Sequence, residues 1–446
     1  MDGKAARAAD WLAAAVLVAA VSWLAYGPGQ SDFAGLAAGY AAAFAAYVWL
    51  VNNAGLPLRQ LLVLAVLLRL IVLPAMPQLS DDVYRFIWDG RLIVEGINPF
   101  AHLPAYYMEL EQPPAGLTPE LFEQLNSPEY FTIYPPVAQG IFALSVLIFP
   151  GSIYGSTLVM KLCLMAAEAV ALLFLPRLLR QLRLPARAAL WYLLNPLMII
   201  EHMGNLHFEG VMGSFLILSL YLLVRGQWGK SALAMALSIA AKLLPLLFLP
   251  LLIRRLGWRR SVAYFAVLGG ALLLLFAPLL GEAFLHGFGS SLDLYFRRFE
   301  FNASVYYLLR WVGYQWTGYN EIAVIGPALA LATFSGIVLM TVLERIPEGR
   351  KWQQLPVAWL AAIGLYLLLT PTVHPWYVSL PLLLCCFTSY RFPVLWSALI
   401  VLTYINYSFQ PYTEQLWAVA LEYGLVALYA FWEWLQKRKR APAGAL

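Results

Sequence analysis

Ser80 to Gly90 reads SDDVYRFIWDG and directly follows the apolar run LLVLAVLLRLIVLPAMPQL. Adjacent carboxylates just past a membrane-type run are the first candidates for chemistry. Either Asp81 or Asp82 could take a proton from a hydroxyl as a general base. The stretch reads as an amphipathic helix. Val83, Phe86, Ile87 and Gly90 form its apolar face, and Asp81, Arg85 and Asp89 share another at i, i+4 spacing. Such a helix is expected to lie along the membrane interface. The plain alternative is helix chemistry alone. Ser80 is a good N-cap, acids suit a first turn, and Arg85 can pair with Asp81 and Asp89.

A second cluster lies in NPLMIIEHMGNLHFEGVMG, Asn195 to Gly213. Glu201, His202, His207 and Glu209 suit proton transfer or substrate contact. Their plain alternative is mutual pairing at a buried turn. There is no HExxH spacing and no cysteine ligand among them, so no metal ligands are assigned and a divalent cation stays open only as a cofactor. Cations for a phosphate are Lys242 in AAKLLPLLFLP, Arg297 and Arg298 in LDLYFRRFEFNAS, and His374 in PTVHPWY. Arg297 and Arg298 could instead pair with Asp293 or Glu300. Lys242 is harder to explain away, because an isolated charge in an apolar run is a functional candidate by default. Trp88, Trp376 and Tyr377 could stack on a sugar, or serve only as an interfacial belt. Arg69, Lys161 and Glu168 also sit in apolar runs. Lys161 and Glu168 fall two turns apart, which fits structural pairing.

These residues need a membrane scaffold. The chain is 62% hydrophobic and 12% charged over 446 residues, far from soluble proportions. The reading is all-α and polytopic. About twelve transmembrane helices are expected near 11–26, 33–51, 60–74, 158–176, 188–200, 209–224, 261–279, 321–343, 355–370, 378–389, 392–407 and 415–435. The run Trp11 to Tyr26 lacks a small-residue cleavage site and reads as a retained span. Basic clusters at 177–187, 225–230, 254–260, 345–351 and the tail 436–446 should be cytoplasmic, as should both termini. The runs 137–150 and 231–253 fit only if they enter and return without crossing, and Lys242 with Pro245 marks a break in the second. A broken helix carrying a lysine implies a cavity. The polar segments then gather on one external face, in the long loop 75–136, in 201–210, in the amphipathic loop 280–320 and in 371–377. One membrane domain, 1–446, accounts for the chain. Cys163, Cys385 and Cys386 form no disulfide framework. The net charge of +5 fits loop charges and gives no reason to expect a nucleic-acid partner.

SDDVYRFIWDGRLIVEGINPF, TIYPPVAQ, NPLMIIEHMGNLHFEG, the AAKLLPLLFLP break and TVHPWY, in that order over residues 60 to 380, resemble the GT-C membrane glycosyltransferases. They are most similar to polyprenol-phosphate-mannose-dependent mannosyltransferases and family 87 enzymes. The resemblance implies a periplasmic or lumenal active site, a polyprenyl-phosphate sugar donor and an acidic base in the first large external loop. That role falls on Asp81 or Asp82. Asp82 is preferred, because adjacent helical residues point about 100° apart and one should face the cavity. The expected reaction is inverting transfer of a sugar, by resemblance mannose, from polyprenyl phosphate to a hydroxyl of a lipid-linked glycan, glycolipid or protein, within bacterial membrane lipid. Two rivals remain. One is a transporter or flippase of a lipid-linked sugar, against which the long loop 75–136 speaks. The other is a glycan polymerase or ligase using a lipid diphosphate.

Overall fold

A computed structural model describes residues 3–347 and 349–440. The described residues are helical, with no strand; a single isolated bridge pairs Phe301 with Thr372. The tail expectation therefore lies partly outside them, beyond Arg440. Among the described residues, seven helices are long and apolar enough to cross a bilayer, within Arg7–Tyr26, Phe33–Asn52, Ile153–Gln181, Trp258–Phe276, Ile322–Leu343, Lys351–Leu369 and Leu416–Lys439. Pro196–Gly204 and Glu209–Val224, bent by 114° at a short break, make an eighth when counted as one span. With these spans the chain is an integral membrane protein.

Five of the twelve expected spans are shorter than a full straight crossing or are broken, for local reasons. Leu58–Val72 has only 15 residues, about 22 Å of rise. The run expected at 188–200 is cut by Pro196, whose missing N–H cannot continue the helix. Asn195 caps the new start by accepting from the Leu197 amide at 2.9 Å. The runs near 378–389 and 392–407 become the shorter apolar helices Pro375–Cys385 and Phe392–Ser408.

The expected break at Lys242 is present. Helix Trp228–Ala241 ends, Lys242 is extended at φ −156° and ψ 139°, and a 3₁₀ turn Leu244–Phe248 leads into helix Pro250–Leu256. A continuous helix would drive the Pro245 ring into the Ala241 carbonyl.

The long loop carries helix Asp82–Val94, which is enclosed rather than laid on an interface. Phe86 stacks on Phe142 with centroids 4.5 Å apart and planes 7° apart. A side chain at Gly90 would meet the Phe142 carbonyl oxygen at 2.6 Å, so the two helices touch by backbone. The polar face is internal too. Arg85 Nε donates to Asp89 at 2.9 Å, Gln139 Nε2 donates to the other Asp89 oxygen at 3.0 Å, and Arg85 Nη1 reaches the Tyr130 carbonyl at 2.8 Å. Arg85 thus chooses Asp89 over Asp81 and pins the loop to the helix.

Trp88 is fully buried against Tyr107 and Phe122. It is placed for packing, not for stacking on a sugar. Trp88→Ala should cost about 3–5 kcal/mol of stability, read as a lowered Tm with ligand affinity unchanged in the folded fraction.

Helix Val305–Thr317, inside the amphipathic loop expected at 280–320, is two-faced. It exposes Leu308, Trp311, Val312 and Trp316, while Tyr306 and Tyr307 face the core.

Candidate active site

A cavity of about 350 Å³ opens where the long loop, the Lys242 break, helix Glu282–Arg297, the 371–377 turn and the 3₁₀ segment Ile400–Ser408 converge. Asp81, Asp82, Arg85, Lys242, His374, Trp376 and Tyr377 all line it. Seven residues spread over 297 positions of sequence are thus gathered at one site.

Both aspartates face the cavity, contrary to the one-of-two expectation. The helix begins at Asp82, and Asp81 precedes it at φ −92° and ψ 5°, so helical spacing does not apply between them. Their settings differ. Asp82 accepts from Asn126 Nδ2 at 2.7 Å and from Tyr134 Oη at 3.0 Å. Asp81 caps nothing and is exposed to the cavity. Crowding in the cavity wall, and then the Asp82 charge, raise the Asp81 carboxyl above its ordinary value.

Lys242 supplies the cavity's ammonium. It lies 3.2 Å from the buried Glu209 carboxylate and over the Tyr134 ring at 5.1 Å. Tyr134 therefore touches both the carboxylate side and the cation side of the site. His374 is not a second cation. Burial pushes its imidazole down to about 3; Asp82 opposes that, and His207 and Lys242 add to it. It is neutral at pH 7.

Trp376 has no free face for a sugar. His207 stacks on it at 3.6 Å and His374 at 4.5 Å, with interplanar angles of 20° and 2°. Two imidazoles that close and parallel cannot share one face, so the indole is sandwiched. The column continues from His374 to Phe301 at 4.7 Å.

The remaining candidates lie outside the cavity. Arg297 and Arg298 are exposed and sit 3.2 Å and 3.8 Å from Asp293, the plain alternative noted above. The double Ala variant should move stability by no more than about 0.5 kcal/mol, as measured by thermal melting.

Glu201, His202, His207 and Glu209 are buried behind the wall. His202 bridges Glu168 Oε1 at 2.8 Å and Ser379 Oγ at 2.9 Å, and Glu168 also binds Arg69. Lys161 turns away from Glu168 and donates to the Val72 and Ala75 carbonyls. Among the described residues, no three or more His, Cys, Asp or Glu side chains gather as a metal ion requires.

Sequence reading missed the tyrosines and amides of the wall, namely Gln30, Asn126, Tyr295, Tyr404 and Tyr407. Nothing in their spacing separates them from interfacial aromatics.

Residues 4–257, which include the aspartates and the Lys242 break, match the family described as "Alpha-(1->6)-mannopyranosyltransferase, N-terminal domain". The chain belongs to this family. Alpha-(1->6)-mannopyranosyltransferase A of Mycobacterium tuberculosis is 25% identical over 339 residues, covering 70% of this chain and 62% of that protein. Alpha-(1->6)-mannopyranosyltransferase B of Corynebacterium glutamicum is 28% identical over 170 residues, covering 36% of this chain and 27% of that protein. The chain thus spans less than two thirds of the length of either relative.

Proposed function

We propose that the chain is a mannosyltransferase that moves mannose from a polyprenyl-phosphate donor to a hydroxyl of a lipid-linked glycan, glycolipid or protein. The observation that carries this reading is the meeting of Asp81, Asp82 and Lys242 in one cavity of a member of this family. Asp81 removes the acceptor hydroxyl proton as its oxygen attacks the anomeric carbon. The carbon–oxygen bond to the phosphate breaks on the opposite face, which inverts the centre. The departing lipid phosphate gathers negative charge, and a preplaced ammonium at Lys242 lowers that barrier. The cavity is assigned to the periplasmic or extracellular face and both termini to the cytoplasm, because the basic clusters collect in the loops on the other side.

The test uses protein reconstituted in nanodiscs with radiolabelled polyprenyl-phosphate mannose and a glycolipid extract. Wild type should form a new labelled product, and the Asp81→Asn/Asp82→Asn double variant should not. Label that crosses a liposome membrane chemically unchanged would favour a flippase. Transfer only from a lipid-diphosphate donor would favour the polymerase or ligase reading.

A further inference from the structure

We propose that Glu201 is a positioning residue that ties three walls of the cavity together without touching substrate; this rests on the transferase reading for its kinetic consequence. Glu201 is fully buried and does not line the cavity. Three paths lead from its carboxylate to groups that do. Tyr404, a wall residue, donates its phenol to Oε1 at 2.7 Å. Asn205 Nδ2 donates to Oε2 at 3.3 Å, and Asn205 Oδ1 in turn accepts the Leu79 amide at 3.2 Å, two residues before Asp81. His207 Nε2 lies 3.2 Å from Oε2 as a close contact without hydrogen-bond geometry, and the His207 ring carries the stack through Trp376 to His374.

One carboxylate therefore reaches the backbone that presents the aspartates, the ring column beside Lys242 and the tyrosine wall. The backbone around it is held in an uncommon form. Ile199–Gly204 is a π-helical turn, and Leu206 is left-handed at φ 63°. Both features occur where a site imposes geometry that regular helix would not give. The elements joined are distant in sequence and share few other polar links, so the carboxylate fixes their spacing. Reaction rates fall steeply when reacting groups are misplaced by about 1 Å.

Glu201→Gln is the test. Glutamine keeps the shape but offers one acceptor oxygen, so it cannot serve Tyr404 and Asn205 together. Hydrogen exchange followed by mass spectrometry on the full chain should show faster exchange, by about tenfold, in peptides spanning 75–82, 371–378 and 400–408 at once. Tyr404→Phe should loosen only 400–408, and Asn205→Ala only 75–82; these variants keep the proposal testable if Glu201→Gln folds poorly. In the transfer assay, Glu201→Gln should lower kcat by about 10- to 100-fold with the donor KM within about twofold. Acceleration confined to 199–208 would overturn the proposal, as would a raised KM at unchanged kcat or loosening of all three walls by Tyr404→Phe. A wild type without transfer would sink the transferase reading, while the exchange pattern would still decide the role of Glu201.

Discussion

Asp81→Asn is expected to lower kcat by about 10²- to 10⁴-fold, the usual contribution of a general base. Asp82→Asn is expected to do less to the chemistry and more to the loop. Asp82 already accepts from Asn126 and Tyr134, so both of its oxygens are engaged by the loop. Asp81 carries no such commitments and is open to the cavity. Its carboxyl is raised, first by burial in the wall and then by the Asp82 charge. A base works deprotonated, so kcat/KM should fall as the pH drops through that raised value. Asp81→Asn should remove this acidic limb. Asp82→Asn removes the like charge, so the limb should move to lower pH, toward the ordinary carboxylate value. A pH–rate profile on the three proteins checks both signs. An unchanged limb in Asp81→Asn would transfer the base role to Asp82.

That contrast could not be read from the sequence, because it depends on a helix boundary and on two partners 44 and 52 residues away. What was legible follows from local physics. Apolar length gave the long spans, and Pro245 beside Lys242 gave the broken segment. Charge pairing was only half legible. Arg85 with Asp89 follows from i, i+4 spacing, yet Glu201 and His202, though adjacent, turn to His207 and Glu168 respectively. Adjacent side chains on an irregular turn diverge, so sequence neighbourhood does not predict the pair. Trp88 and Trp376 show a second limit. An indole at an expected interface, one buried in a core and one sandwiched between imidazoles are the same letter, and only tertiary packing separates them.

Lys242→Met should damage both stability and transfer, and the two effects can be separated. Glu209 is buried, neither of its oxygens has a hydrogen-bond donor, and Lys242 is its countercharge at 3.2 Å. Removing the ammonium leaves a lone buried carboxylate. Breaking a buried pair this way costs about 3–5 kcal/mol; the partial exposure of Lys242 places the loss at the low end. Glu209→Leu in the same chain removes the stranded charge, so the double variant should recover most of the lost Tm. Transfer should not recover. If the ammonium stabilises the departing phosphate, its loss costs about 10²- to 10³-fold in kcat whatever Glu209 has become. His374 cannot substitute, because it is neutral at working pH. Arg297 and Arg298 cannot either, because they lie outside the cavity against Asp293. A double variant that regained wild-type kcat along with its Tm would make Lys242 a structural partner of Glu209 and leave the phosphate without a protein cation in this cavity, apart from Arg85, whose guanidinium is held by Asp89 and the Tyr130 carbonyl. Melting curves and single-turnover transfer on the single and double variants therefore separate charge burial from catalysis at the same lysine.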